Sequence, residues 1–187
     1  LSPEQIDTLD PEALATTLAA HQLSVPLVVK PTHEGSSFGI TVVQDEAELL
    51  PAVVAACTVD PRRRQTVLIE EKLSGMEFVC VSLQRITTTQ ASHPSTLRPG
   101  SGLRATPGSA AGTVSSEWFT FPITEVVLEE NSLLFDYEQK YMPGRALKIT
   151  PARCSAEAHA AIADACLRAS ALLTFATISR IDGFLTP

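Results

Sequence analysis

The chain of 187 residues is short of lysine: Lys30, Lys72, Lys140 and Lys148 are the only four. Fourteen basic residues against 21 acidic ones leave a net charge of −7. A nucleic-acid footprint needs a basic stripe, and the single basic run, Arg62-Arg63-Arg64, has Asp60 beside it. That run reads as a solvated turn, with a phosphate clamp as the other reading, and no nucleic-acid partner is expected. The four cysteines, Cys57, Cys80, Cys154 and Cys166, include no pair at CxxC spacing, so neither a zinc site nor a redox motif is supported. All four are expected to be reduced, mostly buried thiols of an intracellular protein. No apolar run approaches the ~18 residues a membrane helix needs, so no membrane partner is expected. No signal peptide or basic, Ser-rich transit segment is visible. The chain opens on Leu1 and stops at Pro187, straight after a strand-like stretch, which suggests a piece of a longer protein.

Hydrophobic residues make up 44% and charged residues 19%, a folding composition for one large domain or two small ones. Asp10-Pro11-Glu12 is an N-cap, a first-turn proline and an acidic first turn, which predicts a helix over about 11–21. Apolar alternation and turn residues predict strands at Val25–Lys30, Gly39–Val43, Thr66–Glu71 and Glu77–Leu83, with a hinge over Glu70 to Leu73. Asp45 is expected to cap a helix with Glu48 as its capping-box partner, its apolar positions being Leu49, Leu50, Val53, Val54 and Cys57. From Thr87 to Thr113, 17 of 27 residues are Ser, Thr, Gly or Pro, which predicts a flexible insert. EWFTFPITEVVL (117–128) reads as strand, and LLFDYEQKYMPG (133–144) as a polar-aromatic loop. A last helix capped by Ser155 carries the stripe Ile162, Ala165, Cys166, Ala169, Leu172 and Leu173. TISRIDGFL (177–185) closes as a strand. This order, with hairpins and no regular βαβ series, argues for an α+β fold.

Four strings carry chemistry. In VVKPTHEGSSFGI, Lys30 ends a strand, and Gly35, Ser36, Ser37 and Gly39 follow it. Such a loop brings N–H groups and an ammonium to an anion, or is an ordinary hairpin tip. In VLIEEKLSGMEF, Glu70, Glu71 and Glu77 flank one turn. They suit amino and hydroxyl donors, or are solvated strand-end charges. In FDYEQKYM, Lys140 and Tyr141 follow Asp136 and Tyr137; a plain surface loop is the other reading. In SRIDGF, Arg180 and Asp182 project from one face of a strand. They are a salt-bridge pair, or an oxyanion donor beside a metal ligand.

In their order and spacing the four strings resemble the D-alanine–D-alanine ligase family of the ATP-grasp superfamily. Its patterns KPxxxGSSxG, E[EK]xLxGxEF, DYExKY and [GS]RIDxF are met here as KPTHEGSSFG, EEKLSGMEF, DYEQKY and SRIDGF. The resemblance implies an ATP-grasp pair of α+β subdomains that clamp ATP, incomplete at both ends here. Residues 1–71 would be the central subdomain, and 72–187 part of the C-terminal one with the insert 87–113. It implies a ligase that phosphorylates one D-alanine carboxylate and joins it to the amine of a second. Lys30 and Lys140 match phosphate-binding lysines, and Ser37 the phosphate-covering loop. Ser36 matches a serine close to the substrate. Glu70 matches the adenine-contacting acid, with the backbone of Glu71 and Leu73 alongside, and Glu77 the ribose-binding acid. Tyr141 matches the tyrosine of a closing loop, Arg180 the oxyanion-stabilising arginine and Asp182 a magnesium ligand. The implied cofactors are ATP and Mg²⁺, with Mn²⁺ as a substitute. The implied partner is D-alanine, with a homodimer for the intact protein and a cytoplasmic location (a plastid is the alternative).

Family members also carry an N-terminal substrate domain and, past the RID strand, an ExN motif. The chain here ends five residues after Asp182, so alone it is expected to bind nucleotide without ligating. The competing expectations are another ATP-grasp carboxylate–amine ligase and a non-catalytic nucleotide-binding remnant.

Overall fold

The computed structural model describes residues 1–89, 113–129, 142 and 146–187. It divides into two compact units: Leu1–Phe78, Glu125–Thr150 and Gly183–Pro187 form the first, Val79–Thr124 and Pro151–Asp182 the second. These units and the expected split after residue 71 are different divisions of the chain.

The first unit begins with helices α1 (Pro3–Asp7) and α2 (Pro11–Ala20). Sequence reading missed α1, although Ser2 and Gln5 form a complete capping box at its start. Asp10 caps α2 as expected, its side chain accepting from the Ala13 N–H at 2.7 Å. Strands β1 (Leu27–Pro31), β2 (Thr41–Val43) and β3 (Val67–Glu71) form an antiparallel sheet in the order β2-β1-β3. Helix α3 (Leu49–Cys57) lies between β2 and β3 in sequence. Asp45 does not cap this helix: its carboxylate accepts from the Ala47 N–H and caps a 3-10 turn, Glu46–Glu48. Glu48 stands at the N-cap of α3 without a side-chain cap bond. The capping-box pattern fits the sequence, but Pro51 lies in the first turn of α3, and the chain enters the helix through the tighter turn. Val54, expected on the apolar face, is exposed.

Period-2 alternation decides what each face of β1 does. Leu27, Val29 and Pro31 are buried, the first two in the core with Leu14, Val43, Val53, Cys57 and Val67. Val28 and Lys30 therefore project from the other face. Burying one such aliphatic side chain contributes about 1.5–3 kcal/mol. The β1–β3 register pairs Val28 with Glu70 and Lys30 with Leu68, so Glu70 shares the outer face with Lys30.

In the second sheet the order is β5-β4-β6-β7, with β8 also paired to β4. Its strands are β4 (Met76–Thr89), β5 (Thr113–Thr120), β6 (Thr124–Leu128), β7 (Ala146–Ile149) and β8 (Ile178–Leu185). The stretch 117–128 is not one strand: β5 ends at Thr120 and β6 begins at Thr124, because Pro122 cannot donate to a ladder. β4 outruns its expected end and pairs with β5 as far as Thr89 and Thr113, so both ends of the insert are strand. Residues 90–112 of the insert lie outside the described residues, as does the 133–144 loop except Met142.

In the second unit, helix α4 (Ala156–Leu172) is capped by Ser155, whose hydroxyl accepts from the Ala158 N–H at 3.1 Å. Its buried positions are Ile162, Cys166 and Ser170. The Ser170 hydroxyl meets the Cys166 carbonyl and the Ser179 hydroxyl, each at 2.9 Å. The expected stripe is too wide: Ala165 is exposed, and Leu172 and Leu173 are 83% and 61% exposed. Those leucines occupy the last turn, beyond the buried stretch. All four cysteines are free; Cys57, Cys80 and Cys166 are buried and Cys154 partly so. Among the described residues, no helix is long and apolar enough to cross a membrane.

Candidate functional site: a cleft beside Lys30

A cleft of about 810 Å³ lies within the first unit, the size of small-molecule sites. Val28 and Lys30 reach it from the outer face of β1, and Glu70 and Glu71 from the end of β3. The connection from Lys72 to Gly75 and the start of β4, with Met76 and Glu77, form another side. Glu125 to Leu128 of β6 and Phe184 of β8 complete it.

Lys30 Nζ and Glu70 Oε1 are 2.5 Å apart, a diagonal cross-strand pair. The two side chains are 31% and 43% exposed, so the pair contributes only about 0–1 kcal/mol to stability. Its main effect is to hold the ammonium over the sheet. Alternation also orients the β3 backbone. Thr66 and Lys72 bond toward β1, while Val67 exchanges both backbone bonds with Leu1. The Glu71 N–H and C=O, in step with Val67, therefore face away from β1.

The loop after β1 turns tightly. The Phe38 N–H donates to the Gly35 carbonyl at 3.0 Å, with Ser36 and Ser37 between them at φ +53° and +61°. Both central residues of this turn are left-handed, as in a type I′ turn, which costs L-residues roughly 1–2 kcal/mol each. Sequence reading gave the glycines the conformational freedom here; Gly39 does stand at φ +74°, and the two serines share that backbone region with it. Ser37 lines the cleft; Ser36, next to it in the turn, is not among the lining residues.

Six residues singled out in the sequence thus meet at one cleft: Lys30, Ser37, Glu70, Glu71, Leu73 and Glu77. Arg180 and Asp182 belong to the second unit, where Arg180 Nη2 donates to Asp182 Oδ2 at 2.9 Å. Their i, i+2 spacing on β8 brings them together as a salt bridge, the first of the two readings. Lys140 and Tyr141 lie outside the described residues. Sequence reading missed Glu125, only 8% exposed on β6, whose signal is a lone acid in the apolar run ITEVVL. It also missed the apolar wall of Val28, Ile40, Met76, Val126 and Phe184.

Four carboxylates, of Glu70, Glu71, Glu77 and Glu125, outnumber the two ammonium groups of Lys30 and Lys72 in the lining. That acidic, partly apolar interior suits a flat ring with amino and hydroxyl donors. The Lys30 and Ser37 side suits an anion. Among the described residues no three acidic, histidine or cysteine side chains cluster as metal ligands. Asp182 offers one carboxylate and shares it with Arg180. One carboxylate is not an octahedral site, so the described residues do not by themselves fit Mg²⁺.

The family described as "D-ala D-ala ligase C-terminus" matches residues 5–103 and 114–187. A D-alanine–D-alanine ligase of Halalkalibacterium halodurans is 33% identical over 162 residues, covering 87% of this chain and 41% of the relative. One from Chlorobium luteolum is 32% identical over 176 residues, covering 94% and 38%. The chain thus spans about two-fifths of the length of these curated relatives. Among solved structures, the VanG D-Ala:D-Ser ligase of Enterococcus faecalis aligns with a TM-score of 0.65 at 27% identity, covering all of this chain and 42% of that one. The ATP complex of a Bacillus anthracis D-alanine–D-alanine ligase aligns at 0.53 and 19% identity, covering all of this chain and 44% of that one, a likeness of fold. The family match over most of the chain, on an α+β architecture shared with these ligases, places it in the D-alanine–D-alanine ligase C-terminal family, with the ATP-grasp fold.

Proposed function

We propose that this chain is the nucleotide-binding part of an ATP-dependent ligase that joins two D-alanines through an acyl phosphate, as in peptidoglycan precursor synthesis. The observation that carries the reading is the gathering of Lys30, Ser37, Glu70 and Glu77 at one cleft in a member of this family. The adenine ring would lie in the acidic, apolar part. Its amino group would donate to Glu70 or to the outward-facing Glu71 carbonyl, and the Leu73 backbone would lie alongside. The ribose hydroxyls would donate to Glu77. The triphosphate would extend toward Lys30 and the Ser36–Ser37 turn, with Lys140 as a second cation.

Attack of a D-alanine carboxylate on the γ-phosphate gives the acyl phosphate and ADP. The second amine then adds to the acyl carbon, and phosphate leaves. Negative charge peaks on the transferred phosphoryl group and on the tetrahedral oxygen, and fixed cations stabilise it. Arg180 would serve the tetrahedral oxygen: its guanidinium has five N–H donors, so the bond to Asp182 leaves others. Ser36 would face the substrate and Tyr141 would belong to the closing loop. Asp182 would offer Mg²⁺ (or Mn²⁺) one carboxylate oxygen. A cytoplasmic homodimer is the corresponding expectation for the intact protein.

The likeness to a D-Ala:D-Ser ligase favours one second reading, with D-serine as the acceptor. Competitive displacement of a fluorescent adenine nucleotide from the chain, with Lys30→Ala beside it, tests the site. Wild-type displacement by ATP and a loss of ~10-fold or more in the variant is expected, since a charge-assisted hydrogen bond contributes about 1.5–3 kcal/mol. Equal ATP affinity in both proteins removes Lys30 from the site. Product analysis of the intact protein with D-alanine alone and with D-serine then decides the acceptor.

A further inference from the structure

We propose that Gln65, which neither the four strings nor the family comparison singles out, is the positioning residue of the serine turn; the proposal rests on reading that turn as the cover of the nucleotide phosphates. Gln65 is only 3% exposed, two residues before β3. Its side-chain oxygen accepts from the His33 backbone N–H at 3.0 Å, and its side-chain nitrogen donates to Glu34 Oε1 at 2.9 Å. Its own backbone N–H donates to the Cys57 carbonyl at 3.0 Å, fixing it to the end of α3. Next to it, the Thr32 N–H and hydroxyl both donate to the Thr66 carbonyl at 3.1 Å.

The chemistry specifies a carboxamide. A backbone N–H can only donate and a carboxylate can only accept, so the group between them needs one acceptor and one donor on a single short stem. Leucine offers neither. Glutamate keeps the bond from His33 but sets a second carboxylate against Glu34. This clamp ends one residue before Gly35, where the turn with two left-handed serines begins. A turn of that conformation holds its place only if its surroundings over-determine it, and Gln65 supplies a fixed anchor on its N-terminal side. The turn meets the phosphates in this reading, whereas the hinge that would read the nucleoside has no bond to the Gln65 side chain. The loss should therefore fall on ATP and spare AMP.

The test uses the chain with Q65L, Q65E and the swap Q65E/E34Q, in which the carboxamide moved to position 34 can donate to the carboxylate moved to position 65. Two quantities are measured: ATP and AMP affinity by calorimetry, and hydrogen–deuterium exchange of residues 33–38 in the ligand-free protein. Q65E should weaken ATP roughly tenfold, the scale of one charge-assisted hydrogen bond, with AMP unchanged and exchange at 33–38 faster. The swap should restore both. Unchanged exchange in Q65E and Q65L, an unchanged ratio of ATP to AMP affinity, or a swap as impaired as Q65E overturns the proposal. If the wild type binds neither nucleotide, the nucleotide reading fails, and the exchange data still decide whether Gln65 holds the turn. Q65E and the swap keep the size of the native side chain, so the result does not depend on Q65L folding.

Discussion

Replacing Gly75 by alanine should be among the most damaging single-methyl changes in this protein. Gly75 ends the connection between β3 and β4 at φ +143°, a region essentially reserved for glycine. A Cβ there would stand 2.1 Å from the Leu185 carbonyl oxygen, 2.9 Å from its carbon and 3.1 Å from Thr186 Cα. These are backbone atoms and cannot rotate aside. The forbidden conformation costs about 1–3 kcal/mol, and pushing a neighbouring strand away costs about 1–3 more. The expected loss is therefore about 2–6 kcal/mol. Gly35→Ala is the matched control, since nothing lies within 4 Å of its added methyl. Both changes restrict the unfolded chain alike, so the difference between them isolates the folded-state clash. Urea unfolding of the two variants gives that difference directly. If Gly75→Ala lies within about 0.5 kcal/mol of Gly35→Ala, the steric argument is wrong. The same connection carries Leu73 and leads into Glu77, so nucleotide affinity should fall with stability in Gly75→Ala.

Leu27→Ala removes a side chain with no exposed surface from the first unit's core and should cost about 2–5 kcal/mol in chemical unfolding; a loss under 1 kcal/mol would refute its placement. The Arg64 guanidinium bonded to Asp7 holds that carboxyl below its usual range, so the pair's small stabilisation is present above the ordinary carboxylate pKa and is lost as pH falls through the lowered one. Arg64→Ala should flatten the fall in unfolding midpoint between pH 5 and pH 2, and an unchanged profile contradicts the assignment. Burial, then a hydrogen bond with Cys80, pushes the Cys166 thiol up to about 12. Iodoacetamide at pH 8 should therefore label Cys154 first in the native chain and reach Cys80 and Cys166 only on unfolding, as peptide mass spectrometry can show.

What could be read from the sequence was local. β1 and β3 announce themselves by apolar alternation between turn residues, and Asp10 and Ser155 cap the helices they precede. Arg180 and Asp182 share a face because strands have period two. The errors arise where tertiary structure overrides a local pattern. Asp45 has the spacing of a helix cap but closes a 3-10 turn. Leu172 and Leu173 continue a helical stripe beyond the point where the helix has a buried face. The Lys30–Glu70 pair depends on the register of two strands separated by 35 residues, which no motif encodes. Gln65 is quieter still: a polar residue before a strand gives no sign that its amide will join Glu34 to His33. Glu125 could have been suspected, as a single acid in an apolar strand.

The ladder that pairs Thr89 with Thr113 has a practical consequence for engineering. Paired residues lie about 4.5–5.5 Å apart, so the two ends that a segment inserted between them must meet lie nearly at one point. The entropy of closing a flexible loop between two such ends grows only with the logarithm of its length, about 0.6 kcal/mol per doubling. Adding a flexible segment between those two threonines is thus thermodynamically cheap. The family match itself breaks off after residue 103 and resumes at residue 114. A reporter domain whose own termini lie close together could be grafted there, with the paired strands as its splice point.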